Sequence, residues 1–507
     1  MTPGRIASGM LCIVLAGCAV ARPPYQPPAP EVPARWSETT DAGTAVPQAD
    51  LAWWEDFHDA ELNSLIRRAG QSNLDIQLAQ ARLREARGRS GIAAASLQPS
   101  IHATASAMRE RDSLNAPAQV LFSPGGKIES RTGQSENLFQ AGFDARWELD
   151  LFGVRHQSIT AAEAEADASA YDRGSVLLTL FAEVARNYVS LRGLQQQIIV
   201  ARADLAAQQT IDSLVRARHA GGLASNLDVA RIAGQVKHLA AQIPTLETAR
   251  QHAAHRLGVL LGERPGALTA ELLAAGPIPV ARADLSLGLP SDLLRQRPDI
   301  QRAERQLAGA AALVGVATAD LYPKFSLAGA AGLASVSAGD FFNGASLLWK
   351  IGPTMTWPIL RRGQIVASIG VRDAQQQQAL IAYRSAILNG LEEVENAIVA
   401  YTNAQGRHAA LADAIKENER AVDFSRSRYL GGLADLRDVL DAEHHLSQIR
   451  SELIQSEVAV AIALVTLHKA LGGGWRVAPH STITAAAHQA ACLASDSQAE
   501  PTCSTSP

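Results

Sequence analysis

Asp438 and Asp441 stand three positions apart in the string YLGGLADLRDVLDA, residues 429–442, with Arg437 beside them. That spacing puts both carboxylates on one face of a helix. Carboxylates gathered on a common surface can bind a cation, or raise one another's pKa by repulsion. The competing account is helix-start chemistry, since an aspartate in a first turn interacts favourably with the helix dipole by roughly 0.3–1 kcal/mol. The string occurs twice. In HAGGLASNLDVARI, residues 219–232, Gly221 and Gly222 align with Gly431 and Gly432, and Asp228 aligns with Asp438. Arg231 stands where the second copy has Asp441. Glycines that end one helix and Ser, Asn or Asp that begin the next are the chemistry of a tight link between two long helices. The arrangement predicts two turns at one tip of the molecule. Asp228 with Arg218, Arg428 and Arg437 could supply salt bridges between them, although a solvated surface charge is the commoner role of any single arginine.

Cys18 is the other residue placed for chemistry. Arg5 precedes an apolar run, Ile6 to Ala16, that is too short to span a bilayer and about right for a secretory signal. It ends in Leu15-Ala16-Gly17-Cys18, which resembles the bacterial lipobox, where cleavage precedes the cysteine and the thiol is acylated. Residues 1–17 are then a signal peptide, and Cys18 carries N-acyl and S-diacylglycerol lipid; no other cofactor is expected. Residue 19 is alanine rather than aspartate, which resembles lipoproteins released to the outer membrane. Cys12 falls in the signal, and only Cys492 and Cys503 remain as a possible disulfide.

Enzyme chemistry finds little support. His252 and His255 share a helix face without an acidic partner at metal-ligand spacing, and Gly125-Gly126-Lys127 lacks the upstream glycine of a phosphate loop. Acids exceed bases only by 50 to 46, so nucleic acid is not an expected partner. Aromatics make up 5% of a chain rich in alanine, leucine, glutamine and arginine, which favours long helices.

The elements that carry these residues are duplicated. Asp75 matches Asp299, Leu83 matches Leu307 and Pro99 matches Pro323, all 224 apart, whereas from Gly153 and Gly363 onward the spacing is 210. The difference falls in a loop of the first copy, about 109–137, where an insertion is easily absorbed. The predicted organisation is a signal (1–17), a lipid anchor and proline-rich tether (18–56), a first repeat (57–265), a linker (266–290), a second repeat (291–475) and a tail (476–507). Each repeat begins with a helix, about 59–97 in the first copy, closed by proline. A hairpin follows, over 100–148 and 324–357, in which apolar Phe139, Ala141, Phe143, Ala145 and Trp147 alternate with Gln140, Asp144, Arg146 and Glu148. A long helical hairpin comes next. Leu177, Val184, Leu191 and Ile198 recur every seven residues, as do Val439, Leu446, Leu453, Val460 and Leu467. A helix over 154–220 would be on the order of 100 Å long. Pro244, replaced by Ile454 in the second copy, predicts a kink in the first only.

Four amphipathic strands cannot lie in a membrane as an open sheet, because unpaired edge groups cost several kcal/mol each, and four cannot close around a channel. Three copies would supply twelve. Asp144, Arg146, Glu148 and Lys350 would then face water inside the barrel. Strands of a soluble sandwich are the alternative that periodicity alone leaves open.

The lipobox, WWEDF, SNLDIQLAQARLREAR, PSDLLRQRPDIQRAERQL, YPKFSLAGAAG, WPILRRGQ and LGGGW together resemble the outer-membrane lipoprotein channels of tripartite multidrug pumps, the OprM/NodT branch of the TolC family. The resemblance covers about residues 15–475. It implies a mainly α fold with membrane β: a homotrimer with a twelve-stranded barrel and a tunnel of long antiparallel helices. It also implies a periplasmic adaptor, an inner-membrane proton-driven transporter of the RND type, and drugs or other small solutes as cargo. In such channels acidic residues narrow the tunnel near the turn into the last helix, so the matching Asp438 and Asp441, with Arg437 and Asp228 close by, are the expected periplasmic gate. Heavy-metal efflux, a protein-secretion duct and a lipid-anchored coiled-coil scaffold without a pore are the alternatives. The segment AVARPPYQPP lacks the usual GPDY start, and the tail is longer than the resemblance leads one to expect.

Overall fold

The computed structural model describes residues 25–28, 32–37, 52–111, 121–122, 128–129, 135–280 and 290–475. Cys18, Cys492, Cys503, most of the tether, the last part of the linker and the tail lie outside the described residues. The elements run α1 (Ala60–Ser72), α2 (Leu74–Ala95), β1 (Ser100–Arg111), β2 (Leu121–Phe122), β3 (Ile128–Glu129), β4 (Ser135–Leu149), α3 (Val154–Ala220) and α4 (Asn226–Leu260). The second copy adds α5 (Leu293–Gln296), α6 (Pro298–Ala319), β5 (Lys324–Ser335), β6 (Leu347–Thr356), α7 (Arg362–Leu430) and α8 (Leu436–Ala470). Two compact units cut across the duplication, each taking segments from both copies. One contains 81–170 and 302–385, and the other contains 31–80, 171–301 and 386–475.

The first unit is built on a four-stranded antiparallel sheet in the order β1-β4-β5-β6. Each copy contributes one hairpin, and β4 pairs with β5 across the boundary between copies, with Phe143 opposite Ala331. The register keeps the alternation in phase across all four strands. Ile101 lies opposite Ala145, Ala145 opposite Gly329 and Gly329 opposite Ile351, so the apolar positions share a face. The seam itself is tight. A Cβ on Gly332 would stand 2.5 Å from the Ala141 carbonyl oxygen, and one on Gly142 would stand 2.7 Å from that of Ala331. Matched tryptophans close the two hairpins. The Trp147 indole donates to the Leu97 carbonyl at 2.9 Å, and that of Trp357 donates to the Leu321 carbonyl at 3.1 Å.

The second unit packs Trp53, Phe57, Leu62, Leu65 and Ile66 against Leu177, Val184, Tyr188 and Leu191 of α3 and Leu464 and Val465 of α8. The heptad positions Leu177, Val184, Leu191 and Ile198 are buried, which is why so long a helix is stable despite carrying charge along its other faces.

The first helix is not continuous from 59 to 97. Asn73 adopts an extended backbone (φ −61, ψ 136) that ends α1. Its side-chain oxygen accepts from the Asp75 and Ile76 amides at 2.8 and 3.1 Å, capping α2, while its amide donates to the Leu260 carbonyl at 2.8 Å. Pro244 lies inside α4, which runs 35 residues, the same as α8. Part of the tether is also packed rather than merely extended. Trp36 is 5% exposed, and the Ser37 amide and hydroxyl both donate to Glu395. The described part of the linker lacks regular structure, as expected, yet Gln195, Arg192 and Gln196 satisfy the carbonyls of Leu272, Ala274 and Gly276.

Candidate functional site

The two duplicated turns of the second unit meet. Val215 and Ile232 of the first copy bury against Leu436 of the second, with Val229, Tyr429 and Leu440 packed around them. Both turns use the same bonds. The Leu223 amide donates to Arg218 and the Leu433 amide to Arg428, while Gly222 and Gly432 take φ of 75° and 71°, a left-handed conformation that favours glycine.

The helix starts after the turns differ. Ser225 and Asp228 form a full capping box at α4, with Asp228 accepting from the Ser225 hydroxyl at 2.7 Å and its amide at 3.0 Å. Those bonds hold the Asp228 carboxyl below the usual aspartate range. At α8, Asp435 occupies the cap position but makes no side-chain cap bond. Asp438 and Asp441 are exposed, and the Arg437 Nε lies 3.5 Å from the Asp441 carboxylate within the same helix. Helix-start chemistry thus accounts for Asp228 through its cap bonds, while Asp438 also lies in a first turn, where the helix dipole favours a carboxylate, and Asp441 lies beyond it.

Among the described residues no salt bridge joins the turns, the arrangement that the sequence had left open beside solvated surface charge. Among the described residues Asp228 is spent on its cap, Arg437 pairs with its own helix and Arg428 donates to the Leu433 carbonyl at 3.3 Å. The cross-turn cation is Arg218, whose guanidinium sits 4.7 Å over the Tyr429 ring. Tyr429 lies in the duplicated string but opposite His219, so the repeat gave no hint of the stack.

In the first unit Asp144, Arg146, Glu148 and Lys350 fall on the face opposite the apolar one. One row across the sheet reads His102, Asp144, Ala330, Lys350. His102 approaches Asp144 at 3.5 Å, and Glu148 pairs with Arg155 at 2.5 Å. The intervening β5 positions are Ser326, Ala328, Ala330 and Ala334, so small side chains separate the charges.

A site that sequence reasoning missed lies at the base of α8. Arg297, 5% exposed, donates to Asp299 at 2.6 Å, to Glu393 at 2.7 Å and to the Ala470 carbonyl at 2.9 Å. Burial alone would raise the Asp299 carboxyl, but the hydrogen bonds from Arg297 outweigh it and hold the group below the usual aspartate range. Arg297 is 224 positions from Asn73 and Ala470 is 210 from Leu260, so the two side chains bind equivalent carbonyls in the two copies. The two spacings, applied together, would have found the pair.

With this geometry in view, comparison places the chain. The outer membrane efflux protein family matches residues 65–263 and 289–473. The chain belongs to that family. It is 33% identical to the pyoverdine export outer membrane protein OpmQ of Pseudomonas aeruginosa over 92% of this chain and 96% of the relative. It is 30% identical to Nodulation protein T of Rhizobium leguminosarum bv. trifolii over 93% and 97%. The solved outer-membrane channel OprN superposes with a TM-score of 0.82 at 31% identity, covering 90% of this chain and all of that one. The fold is TolC-like, and the protein is an outer-membrane efflux channel, a transport protein by family.

Proposed function

We propose that the efflux channel works as three copies. They form a twelve-stranded barrel in the outer membrane and pass drugs or other small solutes delivered by a periplasmic adaptor and an inner-membrane RND transporter. The observation that carries this is the sheet: one face apolar from Ile101 to Ala107 on β1 and from Phe139 to Trp147 on β4, the other bearing Asp144, Arg146, Glu148 and Lys350, and edge strands β1 and β6 unpaired among the described residues. Strands alternate in direction along the order β1-β4-β5-β6, so β6 of one copy meets β1 of the next in antiparallel sense, and the barrel closes without a change of pairing. Cys18 would anchor each copy by lipid.

In this reading Asp438 and Asp441 each form a ring of three carboxylates at the periplasmic end, with Arg437 restraining Asp441 and the Arg218–Tyr429 stack holding the turns together. The test is single-channel conductance in planar bilayers. Asp441→Ala is expected to leave assembly intact and to raise conductance severalfold, whereas Asp228→Ala perturbs only the α4 cap. Unchanged conductance in Asp441→Ala overturns the gate, and a wild-type protein that conducts nothing overturns the duct.

A further inference from the structure

The apolar face of the sheet does not stop where the sheet does. Along β6, Leu347, Trp349, Ile351 and Met355 are all more than 60% exposed on that face, and beyond it Trp357, Ile359 and Leu360 continue at 53%, 67% and 99%. Arg361 and Arg362 follow at once, both exposed. Among the described residues neither guanidinium has a carboxylate within ion-pair distance.

The matching turn of the first copy is closed by its own polar groups. Asp150, which Leu360 replaces, accepts from the Arg155 and His156 amides at 3.1 and 2.8 Å. Glu148, which Pro358 replaces, pairs with Arg155 at 2.5 Å, and Phe152, which Arg362 replaces, stacks on Tyr322 at 4.9 Å. The polar groups of that strand-to-helix turn are therefore satisfied within the first copy, with Phe152 covered by Tyr322 of the second, and the second copy has exchanged Glu148, Asp150 and Phe152 for exposed apolar surface and unpaired positive charge.

The geometry points to a phospholipid contact at this turn: acyl chains lie against Trp357, Ile359 and Leu360, and the phosphate of an anionic headgroup is held by Arg361 and Arg362. The partner is an anionic phospholipid, because the patch continues the lipid-facing surface of the barrel and its charge is complementary to a phosphodiester. Guanidinium is suited to two-pronged recognition of that group, and basic residues beside a bilayer attract anionic lipid. The inference rests on the proposed barrel, which places the helix end of β6 at the periplasmic leaflet.

The test uses the full chain in detergent, with thermal stability measured on adding phosphatidylglycerol or phosphatidylcholine, and bound lipid counted by native mass spectrometry. Wild type is expected to prefer phosphatidylglycerol. The double variant Arg361→Gln, Arg362→Gln is expected to lose that preference by roughly 30-fold, two arginines' worth of surface attraction, while keeping its assembly state and conductance. Leu360→Ser is expected to weaken retention of both lipids. Equal preference in wild type and double variant overturns the proposal. So does inorganic phosphate that stabilises as well as the lipid, or loss of assembly in the double variant without any lipid, which would make the patch a contact between copies. Failure of wild type to conduct would count against the duct alone, since lipid preference is read separately.

Discussion

The two copies of the duplication share their framework and differ at their ends. Where Asn73 uses a neutral amide to hold the end of α4, Arg297 uses a buried guanidinium to hold the end of α8 and draws in Asp299 and Glu393. The α4 start is fully capped by Ser225 and Asp228, and the α8 start is not. The first strand-to-helix turn is closed by its own acids, whereas the second exposes Leu360 and two arginines. At the last two of these ends the first copy closes its own polar groups, and the second leaves a cap without a side-chain bond and an exposed turn where a partner could bind. A duplicated scaffold thereby gains asymmetry without altering its geometry.

Replacing Arg297 should break that comparison most severely. Arg297→Ala strands Asp299 and the Ala470 carbonyl, and is expected to cost about 3 kcal/mol, the lower end for a broken buried pair because Glu393 is itself more than half exposed. Asn73→Ala should cost about 1–2 kcal/mol. Melting of the helical signal in detergent orders the two, and equal losses would mean that the copies are held alike. The seam comes next. Gly332→Ala drives a Cβ into the Ala141 carbonyl, a backbone atom that cannot step aside, so β4 and β5 must part at an expected cost of about 1–3 kcal/mol. Resistance to heat on a gel, read against Gly352→Ala, whose Cβ would meet nothing within 4 Å, separates a seam effect from a general glycine effect. The smallest effect belongs to the caps. Ser225→Ala should cost about 1 kcal/mol and speed hydrogen exchange in the first turn of α4, while Asp435→Ala, which loses no cap bond, should leave α8 nearly unchanged. A comparable change in both would mean that Asp435 caps in solution.

Much of the fold was legible because its signals are periodic. Leu177, Val184 and Leu191 announce their seam at heptad spacing, α3 runs from Val154 to Ala220 as the pattern predicts, and the alternation of Phe139 to Trp147 fixes the face of β4. What escaped is held by single side chains. Nothing in the helical pattern around Asn73 marks it as a break, because an amide that caps one helix and bridges to another does so through tertiary contacts. The turns were readable from their glycines, but the partner of Arg218 was not. A cation over an aromatic face depends on which residues of two distant strings come into register, and the salt bridges left open in the sequence used the charges without that geometry. The placement of Asp144, Arg146, Glu148 and Lys350 on one face followed from parity alone.

The open edges of β1 and β6 set a condition on biogenesis. In the three-copy arrangement a solitary chain exposes two strand edges, and a pair of chains joined side by side still exposes two. Partial assembly therefore relieves nothing at the rim, and only the third arrival removes both edges at once. Such a scheme makes ring formation steeply dependent on concentration and leaves every unfinished intermediate able to pair with the wrong strand. Newly exported chains would need either shielding in transit or prompt concentration at one membrane, and a lipid at the N-terminus would supply the second.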